Sequence, residues 1–447
     1  MAEAASSTIS KNSLKCIEWM WQSNPNPWSK SEPAEWSHYS DVENIIMERA
    51  YSNGKVKAVL DDYYIDFKEN RQISHTDHYK QRPVKRVERK REDKHLREER
   101  FFDLPVSTGR SFGGAYGWVS PFIIEVRRDL KLEPNELPSK KPEMIPMLVD
   151  KAAEGIIKEG KHIGKEQEAK ELANRLREQT DNGIKEVWKC CAYIYSLESF
   201  LYKTLNATMR LVGDKEHEHV WRSKIRTLGP FCLLLWDDPL NKKPKTKKIV
   251  YRGAKLNGEQ IAKYEEMAKD PNMYGSFQAF TSTSRNRKKA EKFGNTLFIM
   301  EIVIAFTADL VDISKYPSEE EELIAPGVSF RVTKVGFDRE INKHLIFLTL
   351  RQRFSKMAKD PNMYGSFQAF TSTSRNRKKA EKFGNTLFIM EIVIAFTADL
   401  VDISKYPSEE EELIAPGVSF RVTKVEFDRK IKKHLISLKL RQRVSSK

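Results

Sequence analysis

Residues 267–335 of this 447-residue chain recur without a change at 357–425, an offset of 90 positions (357 less 267). The copies part only near their ends, where Gly336, Glu340, Asn342, Phe347 and Thr349 become Glu426, Lys430, Lys432, Ser437 and Lys439. Solenoid repeats keep only their packing positions, so identity over so long a stretch reads instead as one half-domain present twice. The apolar strand Lys248-Ile249-Val250-Tyr251-Arg252-Gly253 leads into the first copy but is not duplicated, because 252 plus 90 falls on Asn342. The second copy is therefore expected to lack a strand and to leave a sheet edge exposed. Ser437 and Lys439 alternate along one face of its last strand, which makes that face wetter than in the first copy.

Three polar motifs follow one another at strand edges: the strand ending in Arg252, then Phe280-Thr281-Ser282-Thr283-Ser284, then Glu319-Glu320-Glu321-Glu322-Leu323-Ile324. Taken singly, an acidic run reads as a solvated loop and a strand-end arginine as a surface cation. The three in this order resemble the arginine-specific mono-ADP-ribosyltransferases and their R-S-E signature. That resemblance implies an α+β chain whose catalytic domain, 181–353, has a helical lobe and a two-sheet β core. The segment Ile184–Arg210, with Trp188, Tyr195 and Phe200, resembles the helical lobe. Residues 354–447 are then a partial duplicate of 267–353, without an independent NAD site.

The resemblance also implies NAD as substrate, a protein arginine as acceptor and no metal. Glu321 aligns with the catalytic carboxylate, and Glu319 with the residue that orients the acceptor guanidinium and takes its proton. Arg252 corresponds to the phosphate-binding residue and Ser282 to the one that braces the nicotinamide ribose. Gly253 allows close backbone approach to the ligand, while Thr283 and Ser284 support the strand and the cofactor site. Ser372, Glu409 and Glu411 are the second-copy equivalents. Such residues suit the reaction: positive charge develops on the ribose as nicotinamide leaves, and a fixed carboxylate stabilises it. A non-catalytic NAD- or ADP-ribose-binding adaptor and an NAD glycohydrolase are the competing classes.

Four of the eight tryptophans lie in the first tenth of the chain, at Trp19, Trp21, Trp28 and Trp36. The order Trp19-Met20-Trp21, Trp36-x-x-Tyr39, Glu48-Arg49-Ala50-Tyr51, Tyr63-x-x-Asp66-Phe67, Gln72 and the basic strand Gln81–Val87 resembles the WWE domain, a half-barrel of strands with one helix. This assigns residues 12–92 to a WWE-like module and implies poly(ADP-ribose) as a partner, with Tyr63, Gln72, Arg82 and Trp21 as contacts and Trp36 as a further aromatic. Arginine forks suit phosphate oxygens and aromatic faces suit adenine. The insertion Asn24–Glu35 departs from the compact spacing of that family.

Between the modules, 93–180 reads as a helical linker, with a mixed-charge run at 85–100, a Gly-rich connector at 107–120 and helical spacing from Met147 to Gln179. A formal charge of +15 favours polyanionic partners. Cys16, Cys190, Cys191 and Cys232 show neither zinc nor disulfide spacing. No run approaches the roughly 20 apolar residues that span a bilayer. The N-terminus lacks a basic segment followed by an apolar one. These features predict no membrane span, no secretory signal and a cytoplasmic or nuclear location.

Overall fold

The computed structural model describes residues 15–90, 120–350 and 365–441, apart from short internal gaps of which 240–247 is the longest. The charged run beyond 90, the connector up to 119 and the lysine-rich loop 241–247 lie outside the described residues.

The N-terminal unit is an antiparallel sheet wrapped around one helix. Strands β1 (Lys15–Gln22), β2 (Trp36–His38), β3 (Lys57–Val59), β4 (Tyr63–Asp66), β5 (Arg71–Ser74) and β6 (Gln81–Lys90) run in the order β2-β1-β6-β5-β4-β3. Helix α1 (Asp41–Ser52) starts at a capping box, in which Ser40 accepts from the Glu43 N–H and the Glu43 side chain reaches back to the Ser40 N–H. Met47 of α1 packs with Trp19, Leu60, Ile65 and Val84 in a small core. The insertion between β1 and β2 is braced by Asn24, which accepts from the Glu35 N–H at 2.7 Å and donates to the Pro33 carbonyl at 3.0 Å.

Helices follow: α2 (Pro121–Asp129), α3 (Ile145–His162), α4 (Glu166–Arg177), α5 (Gly183–Ser196), α6 (Phe200–Arg210), α7 (Glu218–Ser223) and α8 (Ile225–Trp236). Phe122, Leu148, Leu172, Trp188, Leu201 and Phe231 belong to one core, so α2–α4, in the stretch read as a linker, pack as part of the helical lobe. The apolar spacing detected from Met147 onward is the buried stripe of α3 and α4. Helices α3 and α8 touch backbone to backbone at Gly155, where an added Cβ would lie 1.9 Å from the Thr227 oxygen.

The lobe covers one face of a mixed sheet made of β7 (Lys248–Ala254), β8 (Gly275–Ser276), β9 (Thr281–Ser284), β10 (Thr296–Ile302), β11 (Thr307–Asp309), β12 (Glu321–Ile324), β13 (Ser329–Asp338) and β14 (Lys343–Leu350). Their order is β11-β12-β9-β7-β10-β14-β13-β8. Strand β7 pairs with β10 over its whole length but with β9 only through Tyr251 and Ser284. The expected two-sheet core thus appears as two half-sheets stapled at one point by β7. Helix α9 (Gly258–Lys269) supplies Tyr264 and Met267 to a second core with Val250, Phe298, Phe330 and Leu348.

Among the described residues of the second copy no strand takes the place of this staple. Strands β15 (Gly365–Ser366), β16 (Thr371–Ser374), β17 (Thr386–Ile394), β18 (Thr397–Asp399), β19 (Glu411–Ile414), β20 (Ser419–Asp428) and β21 (Lys433–Arg441) form two separate sheets, β15-β20-β21-β17 and β16-β19-β18. Phe388 is 37% exposed, whereas its counterpart Phe298, covered by β7 and α9, is 1% exposed. Lys439 forms an ion pair with Glu391 at 3.2 Å on the face where the first copy has Thr349.

Candidate active site

Arg252, Ser282 and Glu321 stand on the adjacent strands β7, β9 and β12, beside the point where the half-sheets meet. All three, and Glu319 on the turn before β12, are at most 5% exposed. The Arg252 guanidinium bridges the split, Nη1 donating to the Ser282 carbonyl at 2.7 Å. Across β12 and β9, Glu321 lies opposite Ser284 and Leu323 opposite Ser282. Strand alternation therefore puts Glu321, Ser282 and Ser284 on one face, the face whose Leu323 enters the helical core.

The same alternation separates the adjacent glutamates. Glu322 points to the opposite face, where it pairs with Lys248 and with Arg285 at 3.7 Å and accepts from the Thr307 hydroxyl at 2.7 Å. It is a neutralised structural carboxylate. Glu320 occupies the left-handed region with φ 47°, and its side chain accepts from Asn286 Nδ2 at 3.3 Å. The acidic run is thus a tight turn that gives each glutamate a different environment.

The Ser-Thr-Ser hydroxyls fasten that turn. Ser284 Oγ donates to the Glu319 carbonyl at 2.6 Å and Thr283 Oγ1 to the Glu322 carbonyl at 2.6 Å. Both hydroxyls act on protein backbone, which makes Thr283 and Ser284 supports of the carboxylates. At Gly253 the close approach is likewise to protein: an added Cβ would meet the Ala290 carbonyl at 2.3 Å and Phe293 Cβ at 2.7 Å. In the second copy Ser372 is exposed and its hydroxyl donates to Glu411 Oε1 at 2.5 Å, while Glu409 and Glu411 are half-buried. No strand equivalent to β7 accompanies them among the described residues.

At the N-terminal unit, registers gather the four expected contacts on one face. Ile65 pairs with Gln72, Gln72 with Arg82, and Trp21 with Val84, two positions beyond Arg82. Tyr63, two positions before Ile65, shares that face. Arg82 lies over the Trp21 ring, 5.3 Å from its centroid, and Nη1 donates to the Gln22 and Asn24 carbonyls at 2.9 and 2.8 Å. Tyr63 donates to Glu43 Oε1 at 3.2 Å. The Trp36 ring carries Lys85 Nζ 3.9 Å from its centroid. Tyr39, quoted from sequence only as part of the Trp36-x-x-Tyr39 pattern and given no role there, donates its hydroxyl to Gln72 Oε1 at 2.6 Å, and its ring lies 6.1 Å from that of Tyr63. On the surface before α7, Asp214, Glu216 and His217 bring possible ligand atoms within 4.8 Å of one another, and His217 is already paired with Asp214 at 2.9 Å.

The sequence model of the family described as NAD:arginine ADP-ribosyltransferase matches residues 164–356 and 344–446, well over half of the chain. The model of the WWE domain matches residues 17–86. No curated protein matches the chain. Among solved structures, the ADP-ribosyltransferase HopU1 of Pseudomonas syringae is similar at 19% identity over 40% of this chain and 87% of its own, with a TM-score of 0.32. Exoenzyme S of Pseudomonas aeruginosa, solved with Carba-NAD, is similar at 16% identity over 45% of this chain and 88% of its own, with a TM-score of 0.30. An ADP-ribosyltransferase of Clostridium botulinum is similar at 12% identity over 44% of this chain and 96% of its own, with a TM-score of 0.30. No helix among the described residues is long and apolar enough to cross a membrane. With its Arg252, Ser282 and Glu321 strands side by side and both family models matched, the chain belongs to the NAD:arginine ADP-ribosyltransferases and carries an N-terminal WWE domain.

Proposed function

We propose that the chain is a mono-ADP-ribosyltransferase that moves ADP-ribose from NAD to protein arginine, and that its WWE domain binds poly(ADP-ribose). The observation that carries the transferase reading is the convergence of Arg252, Ser282 and Glu321 at the staple between the half-sheets, with Glu319 on the adjoining turn. In this reading Arg252 holds the dinucleotide diphosphate and Ser282 sets the ribose next to nicotinamide. Glu321 stabilises the cationic ribose as its bond to nicotinamide breaks and nicotinamide leaves with the electron pair. A guanidinium nitrogen then attacks the ribose C1, its proton passing to Glu319. Burial of these groups strengthens the electrostatic effect of a fixed carboxylate.

The catalytic domain is taken as 181–353, carried by the helices that pack against it, and the WWE domain as 12–92. The face bearing Tyr63, Gln72, Arg82 and Trp21 supplies cations and aromatic surface suited to a diphosphate and an adenine. Residues 354–447 lack the arginine strand and act as a passenger. In this reading the protein works in the cytoplasm or nucleus, near sites that already carry the polymer.

Nicotinamide release by the full-length protein, with and without agmatine as an arginine mimic, tests this reading. Release stimulated by agmatine and lost in Glu321→Gln but kept in Glu411→Gln is expected. Release indifferent to agmatine would make water the acceptor, and loss only in Glu411→Gln would move the site to the second copy. Titration of the WWE domain with iso-ADP-ribose tests the polymer claim, with binding lost in Arg82→Ala.

A further inference from the structure

The first residue of α1, Asp41, is not solvated as a first-turn acid usually is. It is 4% exposed. Tyr316, at the start of the acidic turn, donates its hydroxyl to Asp41 Oδ1 at 2.7 Å and Oδ2 at 2.8 Å. Lys315 Nζ donates to Oδ1 at 2.7 Å, and the Glu198 N–H to Oδ2 at 2.8 Å. One carboxylate of the WWE domain therefore joins the helical lobe to the turn that carries Glu319.

Two of the turn's fastenings hold the Glu319 backbone directly. At its far end Ser284 holds the Glu319 carbonyl. At its near end the Tyr316 carbonyl accepts the Glu319 N–H at 3.0 Å. Tyr316 is held at its N–H by Ser314 Oγ at 3.0 Å and at its hydroxyl by Asp41, so the first fastening belongs to the catalytic sheet and the second draws on another domain as well. The junction is not a loose touch. Val42, next to Asp41, is fully buried in the core of the helical lobe. Asp61 Oδ1 accepts the Gln167 N–H at 2.6 Å, capping α4, and Arg49 pairs with Glu171 at 3.1 Å.

We infer that Asp41 is a positioning residue for the transferase, contributed by the WWE domain, which sets the acceptor turn through Tyr316 and Lys315. The inference rests on the role given to Glu319 above. Its consequence is that the WWE domain is a structural part of the acceptor site as well as a polymer reader.

Asp41→Asn and Tyr316→Phe in the full chain test it by two readouts. The first is amide hydrogen exchange at 316–320, with Ser408→Thr as a mass label so that peptides of the second copy are distinguishable. The second is the steady-state kinetics of nicotinamide release. Faster exchange confined to the first-copy turn is expected in both variants, together with a rise of about tenfold in the KM for agmatine and an unchanged KM for NAD. Unchanged exchange at the turn overturns the inference. So does faster exchange spread evenly over the domain, or agmatine-dependent and water-dependent release falling by the same factor. A parent chain that releases no nicotinamide overturns the transferase reading instead, and the exchange measurement still decides the role of Asp41.

Discussion

Glu321 and Glu322 are identical side chains at neighbouring positions, and a strand sends them to opposite faces. In the proposed reading Glu321→Gln removes charge stabilisation of the transition state, and it is expected to lower kcat for nicotinamide release by about 10²–10³-fold with little change in Tm. Glu322→Gln leaves Lys248 facing a neutral partner while Arg285 keeps Asp309 at 2.5 Å, so it is expected to cost roughly 3 kcal/mol of stability, read as a lower Tm. Glu168 on α4 shows a different dependence. Burial pushes its carboxyl up to about 7, with Glu43 and Asp61 adding to the shift while the Phe200 amide and Lys165 oppose it. Its folded pKa exceeds the ordinary 4.5, so its contribution is fully present below that value and is lost as pH rises through 7. Glu168→Gln is thus expected to be more stable than the parent at pH 8, by up to roughly 3 kcal/mol, and to lose that advantage toward pH 4.5 in denaturation series.

Elements in this protein are held by close approaches as much as by apolar faces. The α3–α8 contact has no space for a methyl group at Gly155, so Gly155→Ala forces backbone apart and is expected to cost about 1–3 kcal/mol, measurable by urea denaturation. Helix α4 has no cap of its own, since Lys165 makes no side-chain cap bond and Asp61 of the WWE domain serves instead. Asp61→Ala is expected to cost about 1 kcal/mol and to speed amide exchange in the first turn of α4. Strand β7 illustrates how an element gains weight by position. It supplies Arg252 and also keeps the Ser282 half-sheet next to the rest.

For the whole molecule, the lack of a β7 equivalent among the described residues decides the status of the second copy. Its two sheets are unlinked, and Phe388, Ile389, Ile392 and Val393 are exposed along β17. Exposed apolar edge strands invite pairing between chains. A chain ending at residue 356 is therefore expected to keep its nicotinamide release rate and to scatter less light at equal concentration than the full chain. Loss of activity on that truncation would show that the second copy contributes to the site.

The sequence by itself determined the repeat, the order of the Arg252, Ser282 and Glu321 motifs, the aromatic N-terminal unit and the amphipathic stripes of α3 and α4. These depend on residue spacing within one element, and spacing is written along the chain. The choice of Glu321 over Glu322 rests on the resemblance, through the pattern ending in Leu323-Ile324, and stays part of the proposed function. Only the tertiary structure decided which backbone groups Thr283, Ser284 and Gly253 meet, that the stretch before 180 packs into the helical lobe, and that the Tyr39 hydroxyl meets Gln72. It alone brought Asp41 to Tyr316. A carboxylate at a helix start looks the same in sequence whether water or a distant tyrosine answers it, and the choice is made when two domains pack.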